Sequence, residues 1–452
     1  MTTPATGSAA LIGFTREPFP GIRDTAATVH YVRPALPANS RFGFAKNPAA
    51  EVNQSGFVEQ GTPGAITGPI DFGCRFSVQT LFFLLTHFFR DITKSTLESG
   101  VYQYVCELDR TLAERTLSLL YGIPPVDQLW QHNMLIGQLV ANIGANTEVV
   151  ARVTGQALHF TRLGSAVADA GNTGTWAYAP VCRGPLASEA AGNLFLEVTD
   201  LAPLKFKLKQ AVGTTPPTMS GSTKITQLYG PDGNAIYVNG LADTGAEIGI
   251  FDENKDPFMV CVPGDATDHA AIDVGDVYYF PAPGEWDLPA SPTYLAGQRF
   301  LSAHQLNQYS TDGGSSWVDF NTQTSVLTVA DPIAADNGSG SRYGYGLDRS
   351  GLQFNPTIQV AQKERSRAFR TLYELNKVVK LRTYFQGQLL AGGPYRESLL
   401  LDWNAAQITA LAAPVSGPAS VIETTTFQGV TDDSGNAPLT VTLISDQDYA
   451  TT

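Results

Sequence analysis

A chain of 452 residues is long enough for about three domains and can bury large cores without metal or disulfide staples. Its net charge of −13 argues against a nucleic-acid grip, because neutralising phosphates needs clustered Lys and Arg. With 43 Gly, 28 Pro, 23 Phe and 17 Tyr, the composition favours short strands and many turns, a mainly β chain. Only 16% of residues are charged, which fits either a surface covered by neighbours or a Ser/Thr/Asn-rich β surface.

Residues 1–28 read as irregular, with Pro18, Pro20 and Gly21 breaking any element. The first ten residues lack a basic and an apolar region, so no signal peptide is expected. A short strand fits 29–32. The stretch 34–67, rich in Pro, Gly, Asn, Ser and Ala, is a long loop of the kind that functions or is ordered by a partner. Within it Phe57, Val58, Glu59 and Gln60 suggest a strand in an extended arm or long hairpin. Ile70, Phe72, Cys74 and Phe76 alternate on one face of a strand. The period then changes: Val78, Leu81, Phe82 and Leu85 form a helical stripe behind a Ser77 cap, Phe88 and Phe89 extend it, and Gly100 lies beyond its end. The run 81–85 is the longest apolar one and falls far short of the ~20 residues that span a bilayer, so no membrane insertion is expected.

Strands are predicted at 101–108 and 117–121, then an antiparallel pair at 134–143 and 147–160 joined by Gly144, Ala145 and Asn146. A Gly/Ala/Pro-rich linker or arm covers 164–190. Short strands at 194–198, 224–229, 235–238, 248–251, 258–262 and 277–280, separated by turn signals, indicate a small β-sandwich or barrel. Further strands fit 326–329, 354–360, 378–385, 396–403, 421–427 and 439–443, with a helix stripe at Phe369, Leu372 and Tyr373. The order strand, helix, strand, paired strands therefore occurs twice, once on each side of the central region.

Chemistry-bearing motifs are scarce. Cys74, Cys106, Cys182 and Cys261 are scattered without CxxC or Cys/His spacing, and the six histidines form no metal-spaced pair. His87, in the Leu/Phe-rich helix, reads as a packing residue. The acidic groups at 252–256 and at Asp265, Asp268, Asp273 and Asp276 lack the EF-hand pattern, and turns explain them better than calcium. No cofactor is expected, and no nucleophile motif or carboxylate pair points to an enzyme. The basic residues Lys363, Arg365, Arg367 and Arg370 either pair with carboxylates of a neighbouring subunit or form a solvated face.

The chain resembles the tailed-phage tail tube proteins, the major tail proteins of long-tailed siphophages. In the second copy the resemblance lies at Gly351-Leu352-Gln353-Phe354-Asn355-Pro356-Thr357, the helix 369–375, and Val421-Ile422-Glu423-Thr424-Thr425-Thr426-Phe427-Gln428-Gly429. In the first it lies at Ile66-Thr67-Gly68-Pro69-Ile70-Asp71-Phe72 and over 135–156. It covers the two outer thirds of the chain. The resemblance implies two tube modules, 1–190 and 301–452, each a β-sandwich with one flanking helix, around an inserted β domain at 191–300 projecting outward. It implies a homotrimer forming a pseudo-six-fold ring, stacked head to tail through the arm 34–67 and its counterpart 335–351. Other tail proteins would cap both tube ends, and DNA would pass the lumen without specific binding. Such a subunit is assembled in the host bacterial cytoplasm and resides in the virion tail. Phe57, Val58, Glu59, Gln60, Arg365, Arg367 and Arg370 are the candidate assembly residues, and the lumen wall is expected to carry more acidic than basic side chains. The alternatives are a virion surface or fibre protein with a glycan-binding β domain, and a β-rich hydrolase.

Overall fold

In a computed structural model, the described residues are 11–17, 28–32, 34–36, 43–47, 62–112, 114–123, 127–145, 147–161, 167–174, 181–183, 194–201, 204–211, short strands between 222 and 262, 273–280, 292–295, 299–336, 346–349, 353–363, 368–391, 393–413, 422–432 and 434–449. The fold is mainly β. The N-terminal part contains β1 (Leu11–Arg16), β2 (His30–Val32), β3 (Pro34–Leu36), β4 (Gly43–Asn47), β5 (Thr62–Arg75), α1 (Val78–Leu85), β6 (Asp91–Glu98), β7 (Val101–Glu107), β8 (Leu117–Ile123), β9 (Asp127–Ile143) and β10 (Val150–Thr161). The central region contributes β11 (Val167–Ala168), β12 (Val181–Arg183), β13 (Leu194–Leu201), β14 (Leu204–Ala211), β15 (Ser222–Lys224), β16 (Gln227–Tyr229), β17 (Ala235–Val238), β18 (Ile248–Phe251), β19 (Pro257–Val262) and β20 (Val277–Phe280). The C-terminal part has β21 (Gln305–Ser310), β22 (Val318–Phe320), β23 (Thr324–Ala330), β24 (Ala334–Asp336), β25 (Gly346–Asp348), β26 (Asn355–Lys363), α2 (Ala368–Glu374), β27 (Val378–Leu389), β28 (Arg396–Ala412), β29 (Ile422–Gly429) and β30 (Thr440–Ser445).

The N-terminal and C-terminal parts share one large antiparallel sheet system, and the same order of strands occurs in each. The first run is β2-β1-β8-β9-β10-β5-β4, with β3 beside β4 on the same edge of β5. The second is β22-β21-β27-β28-β29-β26-β23. Two ladders join the N-terminal and C-terminal parts: β9 with β23, from Ile143↔Ser325 to Gln138↔Ala330, which joins the runs themselves, and β7 with β30. The joined strands bury alternate residues, as one sheet face packed on a core requires. Leu327 and Val329 of β23, Ile358 and Val360 of β26, Phe427 of β29 and Leu139 and Ala141 of β9 are all buried in one cluster.

The long strand β9 passes between two neighbours. Its residues 127–134 lie against β8 and its residues 138–143 against β23. The changeover is marked by Asn133 at φ 50 and by a break in the β9–β10 register between Thr154 and Gly155. A Cβ on Gly155 would stand 2.3 Å from the Leu135 carbonyl oxygen, so only glycine admits this close backbone approach.

The two helices differ in setting. Ser77 caps α1 as the sequence predicts, its Oγ accepting from the Thr80 amide at 3.3 Å. All eight residues of α1 are buried, not the predicted stripe alone. Six of the eight are apolar, and a helix that is hydrophobic around most of its circumference belongs inside. Phe82 stacks on Tyr449 at 4.1 Å and meets Tyr104 edge-on at 4.7 Å, while Phe83 stacks on His30 at 4.0 Å. In α2 only Phe369 is buried, edge-on to Phe320 at 5.2 Å and to Phe427 at 5.3 Å.

Several expectations change. The segment expected to be irregular at the N-terminus contains β1, held by β2 and β8 on its two edges. α1 stops at Leu85, and Gly100, at φ 77, serves the β6–β7 hairpin turn instead of ending a helix. The expected loop 34–67 carries β3, β4 and the start of β5. In the central region β11-β20-β13-β14-β15 and β12-β19-β18-β17-β16 form two five-stranded antiparallel sheets, so 167–168 and 181–183 pair with strands of that region. No helix among the described residues is long and apolar enough to cross a membrane.

Candidate assembly surface

The strands β5, β10, β9, β23, β26, β29 and β28 form one continuous sheet with β3 and β4 on its first edge. One face is the core. The other is open and carries Arg152 and Thr154 on β10, Gln138, Val140 and Asn142 on β9, Thr357 and Gln359 on β26, and Thr424, Thr426 and Gln428 on β29. Arg152 is paired across the strands with Asp71, Nε to Oδ1 at 2.7 Å, and that contact raises its pKa. Near the edge Glu148 pairs with Arg75 at 3.4 Å and Arg299 at 3.3 Å. Among the described residues this face is therefore mostly hydroxyls and amides, with Arg152 matched by Asp71 and with Arg75 and Arg299 sharing Glu148 near the edge.

The β9–β23 seam is clasped by buried charge. Asp331 directly follows β23, and its amide donates to the Gly137 carbonyl of β9 at 2.9 Å. Its carboxylate, 1% exposed, meets Arg349 Nη1 at 2.8 Å and Arg110 Nη2 at 2.6 Å. Arg349, 2% exposed, also donates to the Asp331 carbonyl at 2.8 Å and the Ile136 carbonyl at 2.6 Å, and its Nε lies 3.4 Å from Glu114. Glu114 in turn pairs with Arg90, which donates to the carbonyls of Arg110 and Leu112. Burial pulls the Arg349 guanidinium below its ordinary value, and Asp331 and Glu114 work against that shift. Three arginines and two carboxylates, separated in sequence by up to 259 residues (349 minus 90), thus lock the two runs together. No sequence signal marks this group. Each member stands in a segment that reads as a turn or loop.

A second buried network lies in the first run. Ser118 Oγ is 2.8 Å from His132 Nδ1 and donates to Glu17 Oε1 at 2.7 Å, while Glu17 also accepts from Thr116 Oγ1 and the Asn133 amide. Ser, His and Glu invite comparison with a hydrolytic triad. However, Ser118 and Glu17 both address the same ring nitrogen, Nδ1, whereas a proton relay needs them on opposite nitrogens. Ser118 is also fully buried. The network instead fixes the β9 backbone at the left-handed Asn133. A cavity of about 300 Å³ beside the seam is lined by Gln305, Asn307, Thr322 and Gln323 among others, and no Asp, Glu or His lines it among the described residues.

Of the sequence-derived candidates, Phe57, Val58, Glu59, Gln60, Arg365 and Arg367 lie outside the described residues. Arg370 sits half-buried on α2. His87 is buried, with Nδ1 2.6 Å from the Phe83 carbonyl; burial, then Arg16, lowers its pKa to about 3, so it packs as a neutral ring. Asp276 accepts from the amides of Thr173 and Asp273 at 2.9 Å each, the work of a turn carboxylate. Cys74 and Cys106 are free thiols, pushed up to about 12 by burial. The chain matches no protein-family model and no curated protein sequence.

Proposed function

We propose that this chain is a structural subunit of a virion tail tube, three copies closing into a pseudo-six-fold ring that stacks head to tail. The observation that carries this reading is the seam between β9 and β23, which sets the sheet of one run beside that of the other with a single open face. Each run supplies four positions to that sheet, β3/β4-β5-β10-β9 and β23-β26-β29-β28. Three chains would supply about 24 strands, and at ~4.8 Å per strand the circumference is ~115 Å and the backbone diameter roughly 37 Å before tilt widens it. Such a bore admits a DNA duplex.

The open face suits that conduit. Neutral hydroxyls and amides give DNA no array of cations on which to release counterions, so it slides without sticking. Closure into a ring also removes the exposed strand edges, which would otherwise invite aggregation. In this reading the central region projects outward, the hairpin β4–β5 and the segment carrying β24 and β25 reach towards the next ring, and other tail proteins cap the tube. Assembly takes place in the host bacterial cytoplasm.

Negative-stain microscopy and size-exclusion chromatography of the purified protein test the proposal. Rings and stacked tubes, with a trimer as the smallest closed species, are expected. A monomer at high concentration that binds glycans would replace this reading with a fibre or surface protein.

A further inference from the structure

The seam inside the chain is also a template for the seam between chains. We propose that the outer edge of β4 in one copy, at Gly43, docks on the open edge of β28 at Ala410 in the next copy. The inference rests on the ring reading above and names the two edges that make it.

The registers of the two runs align residue by residue. β10 begins on β5 at Val150↔Arg75, and β29 begins on β26 at Ile422↔Lys363. On that alignment Leu36, which pairs with Gly73, takes the place of Thr324, which pairs with Ala361. Gly43, which pairs with Thr67, takes the place of Ala330, which pairs with Asn355. The β3–β4 edge thus occupies the position of β23. The same alignment equates Gln138 of β9 with Ala410 of β28, since they pair with Thr154 and Thr426.

Among the described residues, only one of the two equivalent edges is filled within the chain. The β8 ladder on β9 ends at Leu117↔Met134, and β23 takes over at Gln138. The β27 ladder on β28 ends at Val378↔Gln407, and no strand among the described residues follows it on that edge. Burial records the difference. Leu139 is 1% exposed, whereas its counterpart Leu411 packs on the core but is only partly buried, and Ala410 and Ala412 are exposed. Leu375 and Val378, 60% and 52% exposed, stand where β27 begins, next to the open edge. β3 and β4 likewise have β5 as their one strand neighbour among the described residues. The chain therefore carries both halves of a seam it has already made once. Two different edges meeting head to tail form a heterologous contact, which closes when the rotation fits. In the internal seam Gln138 stands opposite Ala330, so between chains Ala410 stands opposite Gly43.

A double variant, Gly43→Cys with Ala410→Cys, tests the pairing under an added thiol oxidant on a non-reducing gel. The parent chain and each single variant serve as controls. The expected result is conversion to covalent dimer and trimer with the ladder ending at trimer, and no such conversion in the controls. Ala410→Lys, an exposed change, is expected to leave the circular dichroism spectrum intact and abolish rings. Rings in the micrographs with no cross-link, or with Ala410→Lys rings intact, overturn these edges while the tube reading stands. Absence of any ring in the parent protein overturns both.

Discussion

Removing one partner from the clasp around Asp331 should weaken the seam between the two runs. Asp331→Ala leaves the Arg349 guanidinium, 2% exposed, without its closest carboxylate and strips Arg110 of its 2.6 Å contact. Breaking a buried ion pair by taking away one member costs about 3–5 kcal/mol, mostly the penalty of the charge left behind. Arg349→Met falls in the same range, because it also orphans the Ile136 and Asp331 carbonyls at about 1–3 kcal/mol each where water cannot reach them. The double variant should lose less than the sum. Removing both charges abolishes the mismatch, and coupling of about 1–3 kcal/mol is expected for residues in one network. The assay is urea denaturation of the four proteins followed by tryptophan fluorescence, with Trp130 and Trp403 both buried reporters. Amide exchange along 325–329 should rise in the single variants before global unfolding. Single losses below about 1 kcal/mol, or a cycle additive within about 0.5 kcal/mol, would refute the argument that this charge group holds the seam.

Acidification gives a second test. His87 is depressed to about 3 in the fold while the unfolded ring titrates near 6.5, so the unfolded state takes up the proton first. Stability therefore falls as the pH drops below 6.5, by up to about 1.4 kcal/mol per unit, and levels off near the folded value. His87→Phe should flatten that slope, seen as a smaller difference between melting curves at pH 6.5 and 5. Gly155→Ala should destabilise by at least about 1–3 kcal/mol, since the added carbon needs the Leu135 backbone to move; an unchanged denaturation midpoint would contradict the bulge geometry. Deletion of Phe57-Val58-Glu59-Gln60 is expected to leave rings that do not stack, and normal tubes in the micrographs would remove the arm assignment.

Period-two and helical patterns were readable where burial is one-sided. Ile70, Phe72, Cys74 and Phe76 are all buried as their alternation predicts, and Ser77 caps the helix as its position before an apolar stripe predicts. β1 escaped because five of its six residues are buried, which leaves no alternation to read in a short run next to prolines. β14 alternates Leu204, Phe206 and Leu208 with lysines, a period-two pattern legible in the sequence. β6 escaped for the opposite reason: its polar Asp91-Ile92-Thr93-Lys94-Ser95-Thr96 pairs with β7 on a largely exposed surface, where neither face demands apolar residues. The clasp was not readable at all. Arg90, Arg110, Glu114, Asp331 and Arg349 acquire a common address only once β23 lies on β9. That pairing depends on the long strand having room beyond the end of β8, a property of register and not of any local pattern.

For the proposed ring, the internal seam also sets the order of the assembly reaction. In a ring of three chains, half of the seams form during folding, when the tether between β9 and β23 keeps the two edges at high effective concentration. The other half need two encounters between chains, each surrendering about 4–15 kcal/mol of translational and rotational freedom, after which the last seam closes the ring. Ring formation then scales with the third power of chain concentration instead of the sixth, and the proportion of first-run to second-run sectors is fixed at one to one. On the proposed ring, a subunit built this way would complete rings while it is still scarce.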